Sequence, residues 1–329
     1  MRESRFLTRA LTGVLFLAAV ATAPVVRAAE TFELGSVGGA SPLMWPIYIA
    51  TAKGMFAAEE IKVDVVFVPS SAALQQQLAA GSLKVGVNCG LVDPIRAINQ
   101  GAPVAIVRIE GQVPPYALLA KPAIKSIKEL NGKTIIVGGA KDITRTYLDR
   151  MMSPNGFRAG DYDMVYAGAT SARFAALQSG AVDAAILTPP FSFRAEDAGY
   201  TNLGLVVDYA KDLPFSGTVI NRSWAAGHKA VAQKFLAAYT KCILWFNDSK
   251  NRDEAIKILV DASHGKSKDI ATSYDFFRKI NFFEPTGKVS KAQLENIVKA
   301  LEDIGDLDRS FDVNRLVMPG VTELANAKR

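Results

Sequence analysis

Thr31-Phe32-Glu33-Leu34-Gly35-Ser36-Val37-Gly38-Gly39-Ala40 and, one hundred residues on, Lys133-Thr134-Ile135-Ile136-Val137-Gly138-Gly139-Ala140 each run a β-type segment into the same Val-Gly-Gly-Ala turn. Gly-Gly-Ala alone is too common to mean anything, but further echoes follow in the same order at nearly the same offset. Ser71-Ala72 returns as Ser171-Ala172, each opening a helical pattern. Leu78-Ala79-Ala80-Gly81-Ser82-Leu83-Lys84-Val85-Gly86-Val87 runs parallel to Leu177-Gln178-Ser179-Gly180-Ala181-Val182-Asp183-Ala184-Ala185-Ile186. Both read as a helix, a Gly that ends it, and a short apolar strand. One unit of alternating strand and helix is therefore used twice. Short loops between strand and helix mean a mainly parallel sheet covered on both faces, so the expected class is α/β with two lobes.

Working outward, the first unit places strands at Thr31–Val37, Val63–Val68 and Val85–Val87, with helices from about Leu43 and over Ala72–Ala80. The second places strands at Ile135–Val137, near Met164–Tyr166 and at Ala184–Leu187, with helices over Ile143–Met152 and through Leu177. Between the units Val104–Leu119 holds two strand-like runs, and after them Leu203–Tyr209 and Phe215–Asn221 read as strands. Two extended crossings, near Val113–Ala117 and Pro214–Thr218, make a hinge. From Ser223 onward apolar residues recur at three- and four-residue spacing over Val231–Asp248, Asp253–Ala262, Ser267–Lys279 and Ser290–Ile304. That helical tail, with no strands to build a third sheet, is expected to pack back on the first lobe. The expected division is lobe I at 29–115 plus 217–329 and lobe II at 116–216, preceded by a leader at 1–28.

The leader reading rests on Arg2, Arg5 and Arg9 ahead of the apolar run Leu11–Val26, with Val26-Arg27-Ala28 offering small residues at a cleavage site after Ala28. The run falls short of the roughly 20 residues that span a bilayer. Export into the periplasm and a monomeric mature chain are the expectation. The chain has 329 residues, 49% of them hydrophobic and 21% charged, which disfavours long disorder. Its net charge of +6 falls to +3 once the four Arg and one Glu of Met1–Ala28 are set aside, and no basic run appears later. A nucleic-acid partner thereby loses its electrostatic support. The two cysteines, Cys89 and Cys242, sit in dissimilar contexts and are expected to be buried free thiols.

Catalytic constellations are missing. The two histidines, His228 and His264, sit at helix edges, where a solvated side chain is the plain reading. No pairs of His, Cys or carboxylates stand at metal-ligand spacing. Val37-Gly38-Gly39-Ala40 lacks the dinucleotide pattern, and no phosphate-loop or nucleophile-elbow motif occurs. No catalytic residue, metal or cofactor is assigned.

Small and polar residues instead collect where strands should end. Ligands of open parallel sheets bind outside the carboxyl ends of the strands, against helix N-termini with unpaired N–H groups. The six loops are Gly38-Gly39-Ala40-Ser41, Pro69-Ser70-Ser71, Asn88-Cys89-Gly90, Gly138-Gly139-Ala140-Lys141, Gly168-Ala169-Thr170-Ser171 and Thr188-Pro189-Pro190. Candidate ligand contacts are Gly39, Ser41, Ser70, Ser71, Asn88, Cys89, Gly139, Ala140, Thr170, Ser171, Thr188 and Pro189, joined by Trp45, Arg145 and, at the second crossing, Phe215. Ser41, Ser71 and Ser171 serve equally well as helix caps. Arg145 reads either as an anion contact or as an exposed helix arginine, while Tyr48 and Phe193 read as core. Lys141 is the only charge in the loops, so a dicarboxylate clamp is not evident. Hydroxyls at helix N-termini suit a sulfonate, a single carboxylate or a neutral pyrimidine-like ring, and Trp45 as an apolar wall favours an organic solute over nitrate.

Gly54-Met55-Phe56 followed by Glu60-Ile61-Lys62-Val63-Asp64, Leu78-Ala79-Ala80-Gly81 with Val85-Gly86-Val87, and the Thr188-Pro189-Pro190-Phe191 turn resemble periplasmic solute-binding proteins of ATP-driven (ABC) importers. These serve nitrate, sulfonates, taurine and thiamine-pyrimidine precursors, and form the NMT1/THI5-like group. The resemblance covers essentially the whole mature chain. It implies a type II periplasmic binding protein that closes two lobes over a small solute and hands it to an ABC permease in the inner membrane. The same superfamily includes thiamine-pyrimidine synthases with a Cys-rich motif and an active-site His, of which this chain has only Asn88-Cys89-Gly90 near the corresponding strand end.

Overall fold

β-Branched and aliphatic runs bounded by glycine turns form ten strands of two sheets. They are β1 (Glu30–Val37), β2 (Ile61–Val68), β3 (Val85–Gly90), β4 (Val104–Gly111), β5 (Ala117–Ala120), β6 (Thr134–Val137), β7 (Asp163–Tyr166), β8 (Ala184–Leu187), β9 (Thr201–Leu205) and β10 (Ser216–Asn221). The structure is a computed structural model and describes residues 29–303 and 305–325, so the leader expected at Met1–Ala28 lies outside the described residues. The sheet orders are β2-β1-β3-β10-β4 and β7-β6-β8-β5-β9. In each, the strands of the repeated unit are parallel. The fourth strand of each sheet, β10 or β5, is antiparallel to both its neighbours. The two-lobed α/β class is as read, and each sheet is mixed because the chain crosses between lobes before β5 and again before β10.

Helix ends follow local chemistry. Gly81 closes the helix Ser71–Ala80 at φ 76°, and Gly180 takes the same φ just beyond the helix Thr170–Gln178. The first of these helices lies hard against its sheet, since a Cβ on Gly35 would stand 2.6 Å from Leu74 Cδ1 and one on Gly86 2.8 Å from Leu78 Cδ1. The crossings pair with each other at both ends: Phe215 N–H donates to Gly111 O at 2.8 Å, and Val206 N–H to Tyr116 O at 2.9 Å. There the expectation of a strand over Leu203–Tyr209 fails. The strand stops at Leu205, and Val207–Ala210 forms a helical turn once Val206 is spent on Tyr116.

The tail supplies the helices Lys229–Asn247, Arg252–Ser263, Ser267–Lys279 and Lys291–Asp303, and they do pack on the first lobe. The segment between the third and fourth of them runs along β4, an edge strand that is nevertheless buried along its whole length. Glu284 N–H donates to Glu110 O at 2.8 Å, and Gln112 N–H to Phe282 O at 2.8 Å. The tail is not strand-free, because Val289–Ser290 pairs in parallel with Leu324–Ala325.

Trp45 is the keystone of this packing. It is fully buried, donates from Nε1 to Ala255 O at 2.7 Å, and has Phe246, Tyr274 and Phe277 within 6.1 Å between ring centroids. Its expected place in a ligand cleft is therefore corrected: its ring joins the helix after β1 to the tail. Truncating such a side chain forfeits transfer energy and leaves a cavity. Trp45→Ala is expected to lower the unfolding free energy by about 3–5 kcal/mol in urea titration, and unchanged stability would refute this role.

Candidate ligand-binding site

A cavity of about 210 Å³ lies between the lobes at the carboxyl ends of the strands. One wall comprises Val37 to Ser41, Leu43, Ser71, Asn88 and Gly90; the other comprises Asp142, Ile143, Gly168 to Ser171, Arg173, Thr188, Pro189 and Phe191. The crossing chains close it with Tyr116 and Phe215, whose rings meet edge to face at 5.5 Å. Burial pushes the Tyr116 phenol well above its usual range, so it stays a neutral hydroxyl.

Arg173 is the chemical centre of the second wall. The side chain is 1% exposed. Its Nε donates to Ile186 O at 2.9 Å, its Nη1 to Ala167 O at 2.9 Å and Gly168 O at 2.8 Å, and its Nη2 to Thr170 Oγ1 at 2.8 Å. All four acceptors are neutral. The guanidinium is thus held rigidly while its charge has no carboxylate in that hydrogen-bond set, a costly arrangement away from water. Thr170 Oγ1 also accepts from Thr188 Oγ1 at 3.3 Å, leaving its own hydrogen for a further acceptor. The helix behind it opens with Ala169 at the N-cap, which has no side-chain oxygen to give. By contrast Ser70 caps its helix through Ala73 N–H at 3.2 Å, and Asp142 caps the next through Thr144 N–H at 2.9 Å.

Of the residues expected here, Gly39, Ser41, Ser71, Asn88, Thr170, Ser171, Thr188, Pro189 and Phe215 line the cavity. Six do not. Trp45 is core, and Ser70 is spent on its cap. Cys89 follows Asn88 but turns into the interior, fully buried, where burial raises its thiol pKa well above the usual value. Gly139 and Ala140 face away because their turn closes on itself: Gly139 O accepts Asp142 N–H at 3.2 Å and Ala140 O accepts Arg145 Nη1 at 3.0 Å. Arg145 points into an outer groove beside Asp149, 3.8 Å away. Cys89 and Cys242 are both free and buried. Residues missed from the sequence are Arg173, Tyr116, Asp142 and Phe191. Arg173 had one readable sign: unlike Arg145, which has Asp149 one turn on, it has no acidic residue three or four positions away.

The NMT1/THI5-like family model matches residues 41–250. The chain belongs to the NMT1/THI5-like family. The resemblance carried by Gly54-Met55-Phe56 and the strand-end motifs is thereby borne out. No curated protein sequence matches the chain. Among solved structures, the alkanesulfonate-binding protein SsuA of Xanthomonas axonopodis pv. citri bound to MOPS is 18% identical, with TM-score 0.71 over 92% of this chain and 100% of that one. The periplasmic aliphatic sulphonate binding protein SsuA of Escherichia coli is 20% identical, with TM-score 0.69 over 88% and 98%. The periplasmic nitrate-binding protein NrtA of Synechocystis PCC 6803 is 16% identical, with TM-score 0.71 over 86% and 84%. These likenesses establish the periplasmic binding protein fold for this family member.

In this member of the family the lobes touch on both flanks of the cavity. On one, Arg96 binds the Lys141 carbonyl and, through Nε at 2.9 Å, Asp306, whose other oxygen lies 3.4 Å from Lys141 Nζ. On the other, Arg194 Nε donates to Asp269 at 2.6 Å, Lys268 Nζ to Asp197 at 2.9 Å, and Phe193 meets Phe276 edge to face. Between the flanks Gly168 abuts the opposite lobe so closely that a Cβ there would stand 2.7 Å from Pro69 O. A backbone oxygen cannot swing aside, so Gly168→Ala must hold the lobes apart. The expected outcome is a larger radius of gyration in X-ray scattering at ligand saturation and affinity weaker by about tenfold or more, ~1.4 kcal/mol; an unchanged radius would show that closure tolerates the methyl.

Burial raises the carboxyl pKa of Asp93 to about 6; Asp142 across the cleft adds to this, and Arg96 opposes it. A raised acid pKa means the folded state binds more protons than the unfolded one between about pH 4 and 6, so this group's contribution to stability falls as pH rises through that window. Asp93→Asn is expected to stabilise the protein at pH 7 by about 1–3 kcal/mol, with the gain shrinking towards pH 4. Parallel denaturant titrations at the two pH values check the sign.

Proposed function

We propose that this protein is the exported substrate-binding component of an ABC importer, and that it captures a small organic anion by lobe closure for delivery to an inner-membrane permease. The observation that carries the reading is Arg173, buried beside free hydroxyl and backbone donors with only neutral acceptors of its own. A sulfonate or single carboxylate supplies the missing negative charge and accepts from the Thr170 hydroxyl, which Thr188 orients, and from the uncapped first turn of the helix Thr170–Gln178. The apolar part of the solute rests on Tyr116, Phe191 and Phe215, which take the role expected of Trp45. The lobes 29–115 plus 217–329 and 116–216 move as units about the paired crossings. No helix of the described residues is long and apolar enough to cross a membrane; the binding-protein fold supports a periplasmic carrier, taken as monomeric, and cleavage after Ala28 is supported by Arg2, Arg5 and Arg9 ahead of the apolar run Leu11–Val26.

A synthase-like enzyme is the weaker reading. The ionisable groups lining the cavity are Tyr116, Asp142 and Arg173. Asp142 is already committed to Thr144, and Cys89 faces the core. Nothing there is placed as a nucleophile.

Thermal-shift screening of alkanesulfonates, short monocarboxylates, nitrate and pyrimidines should single out an organic monoanion. Saturation at about 100 times its dissociation constant adds roughly 2.7 kcal/mol. Arg173→Gln is expected to weaken that affinity by about tenfold or more, taking ~1.5–3 kcal/mol for a hydrogen bond to a charged group, with its circular dichroism unchanged. Preference for cations or neutral rings, or turnover of a bound compound, would defeat the proposal.

A further inference from the structure

Glu110 lies outside the cavity wall, at the far side of the sheet, and is fully buried on β4. Its Oε1 accepts from Thr218 Oγ1 at 2.6 Å and its Oε2 from the backbone N–H of Asn88 at 2.6 Å. β10 separates β4 from β3, so the carboxylate reaches across a whole strand to make the second bond. The reason lies in the ladder. Between β10 and β3 the register runs from Gly217 opposite Cys89 to Val219 opposite Gly86, with an irregularity between them, so that Val87 and Asn88 together face Thr218. An extra residue in a strand loses its ladder partner. Asn88 closes the bulge and takes φ 55°, in the left-handed region that asparagine adopts more readily than other non-glycine residues.

We propose that Glu110 is a positioning residue for ligand binding, its carboxylate replacing the missing ladder acceptor and holding Asn88 in the left-handed turn that sets the cavity wall. This rests on the reading of the cavity as the ligand site. Two consequences of the turn connect it to that site. The Asn88 side chain donates from Nδ2 to Ser36 Oγ at 3.3 Å and lies 3.3 Å from Met44 Sδ, tying the ends of β1 and β3 together. The turn also delivers Gly90 against the other lobe, where an added Cβ would stand 3.3 Å from Ile143 Cγ2. Displacing Asn88 displaces a closure contact. Burial raises the Glu110 carboxyl pKa, and the bonds from Thr218 and Asn88, with the charge of Arg108 two residues earlier on β4, oppose that rise.

The test separates the two layers. In the full-length mature chain, amide exchange and the ¹⁵N–¹H resonance of Asn88 report on the hydrogen bond with no ligand needed. Glu110→Ala is expected to accelerate Asn88 exchange at least tenfold relative to Val85 on the same strand. Glu110→Gln, whose amide oxygen still accepts from Asn88 while its NH₂ turns to Thr218, should keep the protection and shift the resonance. Unchanged exchange in the first variant overturns the proposal. If that variant does not fold, an unmoved resonance in Glu110→Gln overturns it and a moved one supports it. For function, ethanesulfonate is titrated by calorimetry: Glu110→Ala should lose at least tenfold in affinity, Glu110→Gln should recover to within threefold of wild type, and in an Asn88→Gly background Glu110→Ala should cost markedly less. Full additivity of the two substitutions overturns the route through Asn88. Failure of wild type to bind ethanesulfonate or any other monoanion counts against the anion reading alone, and the exchange result still decides Glu110.

Discussion

Parallel strands joined by helices all end at one edge of their sheet, and in this protein that constraint creates the site before any side chain is considered. β1, β2 and β3 finish at Val37, Val68 and Gly90, and β6, β7 and β8 finish at Val137, Tyr166 and Leu187. Each of these ends turns into a helix, so N–H groups without intrahelical partners gather along the two edges. Facing the edges toward each other brings helix N-termini of both lobes to a single cavity. The antiparallel strand in each sheet follows from the same arrangement, because the chain must leave one lobe and return.

Within that frame three of the helices that begin near the cavity are treated differently. Ser70 and Asp142 satisfy the first turns of their helices with their own side chains, whereas Ala169 leaves its helix open. The open helix is the one that carries Arg173. An uncapped first turn and a guanidinium without a carboxylate both weaken the folded state on their own. Placed together in a space closed by Tyr116 and Phe215, they are what the proposed anion site is built on. Arginine suits the position better than lysine, since its planar fork binds three main-chain carbonyls and one hydroxyl without surrendering its charge.

The fold was largely legible because it is written in backbone-level signals. The Val-Gly-Gly-Ala echo, Gly81 and Gly180 as helix stops, and the apolar β-runs depend on local conformation and on period. Nine of the cavity residues were legible for the same reason: strand ends and helix starts can be located from the chain alone. What was not legible depends on which way a side chain turns once the helices pack. Trp45 looked like a cleft aromatic, but it follows the β1 turn on the face that the tail covers, and the tail is two hundred residues away in sequence. Arg145 and Arg173 each sit near the start of a helix after a glycine-containing loop. One side chain faces out to Asp149 and the other in to Ile186, and beyond that one acidic neighbour it is the tertiary packing of the two helices that separates them. Tyr116 and Phe215 entered the cavity through the crossings, whose pairing with each other is a long-range event.

The proposed carrier role also requires release, and the contacts between lobes are suited to that. Closure is made at the flanks by Arg96, Lys141 and Asp306 and by Arg194 with Asp269 and Lys268 with Asp197, groups of which all but Asp269 remain partly open to solvent. The exposed pair Lys268–Asp197 is screened by solvent and contributes little. Phe193 against Phe276 adds an aromatic pair at the rim, rather than a broad apolar seam. Extensive burial there would lock the lobes together whatever the cavity held. On the proposed reading, weak rim contacts would leave an open and a closed form close in free energy, and a solute that meets both walls would decide between them by its preference for the closed form. One layer back, the Glu110–Asn88–Thr218 bonds are fully buried and brace the first wall alone, which is where the proposed movement would require constant shape.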